Sequence, residues 1–230
     1  MKYKSLLVKF SGEAFGPKGG KVDPDKVQKI ASEIQALRSL GIKVAVVCGG
    51  GNVIRGREVK KAQQLKADYL GMQGTLKNVK PLVRALDKLG IDNQVYTSFS
   101  LKAEYPTFNQ ETVNKDWQSG KILIFAGGTG HPFFSTDTAS VLRSLQLGLE
   151  VFIKATKVDG VYTADPQKNK QARKLTKLSY QKYLSKELKI LDLTAVAMAS
   201  SYNLPIRVVK WEAGRIVELA KGKNLGSLIS

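Results

Sequence analysis

The chain has 230 residues, 43% hydrophobic and 24% charged, which suits one large α/β domain or two small ones with a substantial core. Lysine and arginine number 37 against 19 acidic residues, a net charge of +18, but the lysines are dispersed, so the excess reads as a solvated surface and nucleic acid is not an expected partner. No apolar run reaches membrane-spanning length, no signal-peptide pattern precedes Tyr3-Lys-Ser-Leu-Leu-Val-Lys9, and one cysteine allows no internal disulfide, so a cytoplasmic protein is expected.

Leu6-Leu-Val8 reads as a short strand. Asp23 then caps a helix whose first residue is Pro24, and Val27, Ile30, Ala31, Ile34 and Leu37 keep one face apolar until Gly41 stops it. Lys43-Val-Ala-Val-Val47 is a second strand that runs directly into Cys48-Gly-Gly-Gly-Asn52, after which Val53-Ile-Arg55 is expected to open a helix. A long helical stretch through Leu65, Leu76, Leu82, Val83 and Leu86 ends at Gly90. A strand at 94–96, a polar segment to Gly120 and a strand at 122–125 follow. Gly127-Gly-Thr-Gly-His-Pro-Phe-Phe-Ser-Thr-Asp137 leads into a helix marked by Ala139, Leu142 and Leu145 and closed by Gly148. Beyond a strand at 151–153, the runs 155–158 and 161–164 flank Asp159-Gly160 and predict a hairpin closed by Asp165-Pro166. Helices near 180–188 and 195–202, a final strand at 205–209 and a short helix to Gly222 complete the pattern. Strands separated by helices of these lengths predict right-handed crossovers and a largely parallel sheet, with no linker that would mark a domain boundary.

The chemistry concentrates in two glycine-rich turns, each leaving a buried strand. Glycine lets the backbone approach a ligand closely, and free N–H groups at a helix start favour an anion. Either turn alone could be a tight connection; the pair points to a phosphate-bearing ligand. The usual cradles are missing. Gly16-Pro-Lys-Gly-Gly-Lys-Val22 is one residue short of a Walker A loop and has Val22 where Ser or Thr would hold magnesium, and no Gly-x-Gly-x-x-Gly follows a strand. Cys48 reads as a small buried residue rather than a nucleophile, and His131, the one histidine, leaves no room for a His-rich metal site.

Lys9-Phe-Ser-Gly-Glu-Ala14, Gly49-Gly-Gly-Asn-Val-Ile-Arg-Gly56, the 127–137 turn, Lys154-Ala-Thr-Lys-Val-Asp-Gly160 and Thr163-Ala-Asp-Pro166 occur in this order. Together they resemble the bacterial uridylate kinases, a branch of the amino-acid kinase family separate from the P-loop nucleoside monophosphate kinases. The resemblance runs along nearly the whole chain, through Glu187-Leu-Lys-Ile-Leu-Asp192 and Leu204-Pro-Ile-Arg207. It implies a three-layer αβα sandwich around a mainly parallel sheet, with an acceptor-side half over about 1–148 and an ATP-side half over about 149–230. It further implies transfer of the ATP γ-phosphoryl group to UMP with magnesium, in pyrimidine nucleotide biosynthesis, by a homo-oligomer, usually a hexamer.

Position by position, the resemblance places Lys9, Phe10, Ser11 and Gly12 with Gly51 and Arg55 at the ATP phosphates, and Thr156, Tyr162 and Asp165 at adenine and ribose. Lys9, Asp137 and Lys154 take the catalytic roles: two cations for the moving charge and a carboxylate to orient Lys9 or a magnesium-bound phosphate. That assignment agrees with phosphoryl transfer being driven by positioning and positive charge. Gly50, Asp68 and the segment Thr129, Gly130, His131, Pro132, Phe133, Phe134, Ser135 and Thr136 would hold UMP, with Asp68 on its ribose. Direct side-chain ligation of the metal is not expected. The chain departs from the pattern at His131, where the family commonly has Asn, and in the loop 15–21, which matches the family's GTP-response region loosely. Other acceptors within the family (carbamate, acetylglutamate, aspartate), a basic nucleic-acid-binding protein and a non-catalytic regulator are the competing classes; the 127–137 turn, the scattered lysines and the retained Lys9 and Asp137 respectively speak against them.

Overall fold

The computed structural model describes residues 1–54, 60–100, 104–166 and 168–230. Its frame is a sheet in the order β3-β4-β2-β1-β5-β9-β10-β8, formed by β1 (Ser5–Phe10), β2 (Lys43–Cys48), β3 (Asn93–Thr97), β4 (Ile122–Ala126), β5 (Phe152–Thr156), β8 (Lys177–Leu178), β9 (Ile206–Lys210) and β10 (Ser227–Ile229). All neighbours run parallel except β9 and β10. Both faces of a parallel sheet must be covered, and the buried runs of β2 and β4 are continuously apolar, as are those of β1 and β5 apart from Lys9, Lys154 and Thr156.

Side chains alternate across the sheet. Leu6, Val8, Phe10, Val44, Val46 and Cys48 face one layer, made by α1 (Pro24–Ser39), α2 (Gln64–Lys88) and α7 (Arg215–Ala220). Leu7, Ala45, Val47, Leu123 and Phe152 face the other, made by α3 (Gln110–Gln118), α4 (Thr136–Gln146), α5 (Tyr180–Ser185) and α6 (Leu193–Ser201). The expected αβα sandwich is therefore present. Asp23 caps α1 by accepting from the N–H groups of Asp25 and Lys26. The buried Glu33 of α1 accepts from Gly214, Ile216 and Val217 N–H, tying α7 down. Burial pushes the Glu33 carboxyl up from its ordinary range, against those three backbone donors.

Several local expectations change. Residues 51–53 form a turn, so the helix expected to open at Val53-Ile-Arg55 does not start at Val53 or Ile54, and Arg55 lies outside the described residues; α2 begins at Gln64, after a 3₁₀ turn at Lys61–Gln63. The polar stretch before Gly120 contains α3, capped by Asn109, whose side chain accepts from Thr112 N–H at 3.0 Å. The hairpin around Asp159-Gly160 is not formed. β5 stays in the main sheet, and β6 (Val161–Tyr162) pairs antiparallel with β7 (Lys174–Leu175). The Asp159 carboxylate accepts from Tyr162 at 2.5 Å and Lys174 at 2.9 Å, bonds to the neighbouring ribbon that outweigh the local turn preference. Nor is β9 the last strand, since β10 folds back beside it.

Candidate active site

Lys9 and Lys154 are cross-strand partners on β1 and β5, and alternation turns both towards α4. Like charges so placed repel. Asp137, in the first turn of α4, lies between them: Oδ1 is 3.1 Å from Lys9 Nζ and Oδ2 is 2.5 Å from Lys154 Nζ. Lys9 and Lys154 are each 7% exposed and Asp137 5%. Burial alone would raise the Asp137 carboxyl, but Lys154 and then Lys9 outweigh it and hold the group at about 2. Asp137 is thus ionised at any working pH, and the trio carries one surplus positive charge at the foot of a cleft.

The cleft, about 520 Å³, is lined by Lys9, Ser11, Gly12, Asp137, Lys154 and Thr156 on one side and the segment 187–193 on the other. A second cleft of about 320 Å³ adjoins it, with Gly50, Asp68, Thr75, Phe133 and Phe134 among its walls. Gly51, Ser135, Thr136 and Asp192 belong to both, so the two spaces meet at one partition. Glycine is required where the backbones converge. A Cβ on Gly12 would stand 2.5 Å from Asn52 N, and one on Gly50 2.3 Å from Gly71 O on α2.

The partition is built from hydrogen bonds. Ser135 caps α4 by accepting from Asp137 N–H at 2.9 Å, and its hydroxyl donates to Asp192. The same Asp192 carboxylate accepts from the Thr138 hydroxyl at 2.9 Å and from Ala195 N–H at 2.7 Å, which caps α6. Lys154 also donates to Ile190 C=O. The buried Tyr183 hydroxyl accepts from Leu191 N–H at 2.7 Å and donates to Leu191 C=O at 3.0 Å, fixing the 187–193 segment.

The candidate residues therefore divide. Lys9, Ser11, Gly12, Gly51, Asp137, Lys154 and Thr156 gather at the larger cleft, and Gly50, Asp68, Phe133, Phe134, Ser135 and Thr136 at the smaller. The Phe10 ring faces the core instead, edge-on to Trp211 at 4.9 Å, so only its backbone is near the site. Tyr162 and Asp165 lie outside both linings, with the Tyr162 hydroxyl engaged by Asp159. Thr129, Gly130, His131 and Pro132 form the crest of the 127–137 turn; the Thr129 hydroxyl bridges to the backbone of the exposed His131. Asp68 Oδ2 accepts from Phe133 N–H at 2.9 Å, holding the turn against α2. Cys48 packs on the opposite face of the sheet from Lys9, where burial pushes its thiol far up from the ordinary range. Asn52, Thr75, Asn78, Tyr183 and Asp192 were not among the expected site residues; Asn52 carried a local sign in its glycine-rich turn and Asp192 as an N-cap before α6.

Two joined clefts with a buried, positively charged foot are what a phosphoryl-transfer enzyme needs, since that reaction is driven by positioning and positive charge. The profile of the amino acid kinase family matches residues 4–210, and the chain belongs to that family. It is 36% identical to the uridylate kinase of Methylococcus capsulatus, over 99% of this chain and 97% of that one. To the uridylate kinase of Rhizobium johnstonii it is 40% identical, again over 99% and 97%. The UMP kinase of Bacillus anthracis superposes with a TM-score of 0.93 at 33% identity, covering 100% of this chain and 97% of that one.

Proposed function

We propose that the chain transfers the γ-phosphoryl group of ATP to UMP, giving UDP and ADP. The observation that carries this is the meeting of the two clefts beside Lys9, Asp137 and Lys154. ATP takes the larger cleft, with its phosphates towards Lys9, Ser11, Gly12 and Lys154, and UMP the smaller, with its ribose at Asp68. The attacking oxygen belongs to a phosphate monoester whose second pKa is about 6, so it is already ionised near neutrality and needs no general base. The protein's part is to align donor and acceptor and to meet charge with Lys9 and Lys154, while Asp137 keeps both ammonium groups in place.

Magnesium, when bound with ATP, would supply further positive charge at the phosphates beside Lys9, Ser11, Gly12 and Lys154. Among the described residues no three His, Cys, Asp or Glu side chains are grouped as a cage, and both oxygens of Asp137 face lysines, a donor set that fits an ion held chiefly by phosphate oxygens. The acceptor-side half extends to about residue 148 and the ATP-side half follows it, a division supported by the smaller cleft's walls, which come from the first half apart from Asp192 and Thr194. A homo-oligomer, in this family usually a hexamer, is supported by the exposed Leu65, Tyr69 and Leu70 on α2. A cytoplasmic setting goes with its nucleotide substrates and unpaired Cys48.

The deciding experiment offers UMP, CMP, dUMP and amino-acid acceptors in parallel with ATP. UMP is expected to exceed CMP by at least about tenfold in kcat/KM, roughly the effect of one well-placed polar contact. Equal rates on the two would overturn the acceptor assignment.

A further inference from the structure

We propose that Thr75 and Asn78, one turn apart on α2, are positioning residues that set the acceptor cleft by holding both glycine turns from beneath. This rests on the assignment of the smaller cleft to UMP. The Thr75 hydroxyl accepts from Gly127 N–H at 2.9 Å and donates to Met72 C=O at 2.7 Å. The Asn78 amide donates to Gly49 C=O at 2.7 Å and to Asn52 Oδ1 at 2.8 Å, and its own Oδ1 accepts from Asn52 at 3.0 Å. Thr75 and Asn52 are 1% exposed and Asn78 0%. Buried groups of this kind persist where each polar atom has a partner, and here the partners are the backbones of the two turns.

The arrangement answers a problem inherent in glycine-rich loops, which have few side chains with which to anchor themselves. Gly127 is held through Thr75 and Gly49 through Asn78, so the spacing between the turns is set by one rigid helical turn. α2 comes close enough because Gly50 and Gly74 present no side chains there: a Cβ on Gly50 would stand 2.3 Å from the Gly71 carbonyl oxygen, and one on Gly74 2.9 Å from Val53 Cβ. The tie extends further, since Asn52 C=O accepts from Gly19 and Gly20 N–H, both at 2.9 Å. Gly50, Thr75 and Gly128 line the smaller cleft, Gly51 lines both and Gly49 the larger, whereas Lys9, Asp137 and Lys154 are anchored on β1, α4 and β5. Loss of the Thr75 anchor therefore falls on acceptor binding more than on the donor.

The test is steady-state kinetics with both substrates varied, on Thr75→Val, Thr75→Ser and Asn78→Asp, with thermal unfolding of each. Thr75→Val keeps the volume but leaves Gly127 N–H without its acceptor. KM for UMP should rise about tenfold, equivalent to about 1.4 kcal/mol, with KM for ATP changed by less than about twofold. Thr75→Ser, which restores the hydroxyl, should recover most of that loss. In Asn78→Asp the ionised carboxylate cannot donate to Gly49 C=O, so its KM for UMP, relative to wild type at the same pH, should fall as acid protonates the new carboxyl. A folded Thr75→Val protein with wild-type KM for UMP, an equal rise in both KM values, or a Thr75→Ser protein as impaired as Thr75→Val would each overturn the proposal. Should Thr75→Val fail to fold, a pH-independent Asn78→Asp ratio would overturn it. A wrong acceptor assignment shows itself separately, as wild-type protein that transfers nothing to UMP.

Discussion

The two clefts are organised in opposite ways. In the larger one the decisive charges are buried and already engaged with one another: Lys9, Asp137 and Lys154 sit on two central strands and a helix start. In the smaller one the outer wall is exposed, with Phe133 at 67% and Phe134 at 50%, and Asp68 holds a backbone N–H of that wall. Phe133 also adopts a positive φ of 69°, a conformation an L-residue keeps only when its surroundings hold it there. The contrast separates two tasks. On the proposed function, the charge that stabilises transfer is preset by the core, while the acceptor wall is exposed and depends on what anchors it.

The largest expected effects are at the preset side. Lys9→Met should lower kcat by about 10²–10⁴-fold, a loss of roughly 3–5 kcal/mol of transition-state stabilisation, in a protein with an unchanged circular dichroism spectrum. A near-wild-type kcat would shift the main catalytic role to Lys154 or Arg55. Asp137→Asn leaves two buried ammonium groups facing each other and should destabilise the free protein by about 3–5 kcal/mol at neutral pH. The wild-type carboxyl is depressed on folding, so its contribution is complete above the unfolded pKa of about 3.9 and fades as pH falls towards about 2. Denaturant melts of wild type and variant should therefore converge with acidification; a gap that stays constant down to the lowest pH would contradict the ion-pair account.

On the exposed side the effects are smaller and of a different kind. Asp68→Asn can still accept from Phe133 N–H but offers ribose a neutral partner, so KM for UMP should rise about tenfold with kcat largely kept. A fall in kcat at unchanged KM would place Asp68 nearer the chemistry than the acceptor wall. Cys48→Ala, at a buried position outside the linings of both clefts, should retain most activity and lose about 1 kcal/mol of stability to the small void left behind. Abolished turnover in a normally melting Cys48→Ala protein, or a trapped phosphoenzyme, would require a covalent intermediate.

The central strands were readable because their continuous apolar runs differ from the flanking periodic helices, and the lysines that interrupt them stood out for the same reason. α3 was hidden because Val113 is its one buried residue, which leaves no periodic stripe to detect. The Asp159-Gly160 turn misled because a carboxylate that favours a local turn was taken instead by Lys174, far along the chain. Thr75 and Asn78 escaped for a related reason: polar residues in an amphipathic helix look like its solvent face, and only the tertiary fold reveals backbone opposite them. Phe10 shows the converse limit, since the strand's alternation sends its ring away from a motif whose neighbours, Lys9 and Ser11, line the cleft.

The pairing of Lys9 with Lys154 has a consequence for the order of events in folding. β1 and β5 lie far apart in the chain yet are adjacent in the sheet, and a slip of one residue between them would turn one ammonium group to the wrong face. Such long-range parallel pairing forms late compared with helices and local turns. In a refolding experiment followed by both ellipticity and turnover, the helical signal should therefore return first and activity only when the central register has locked.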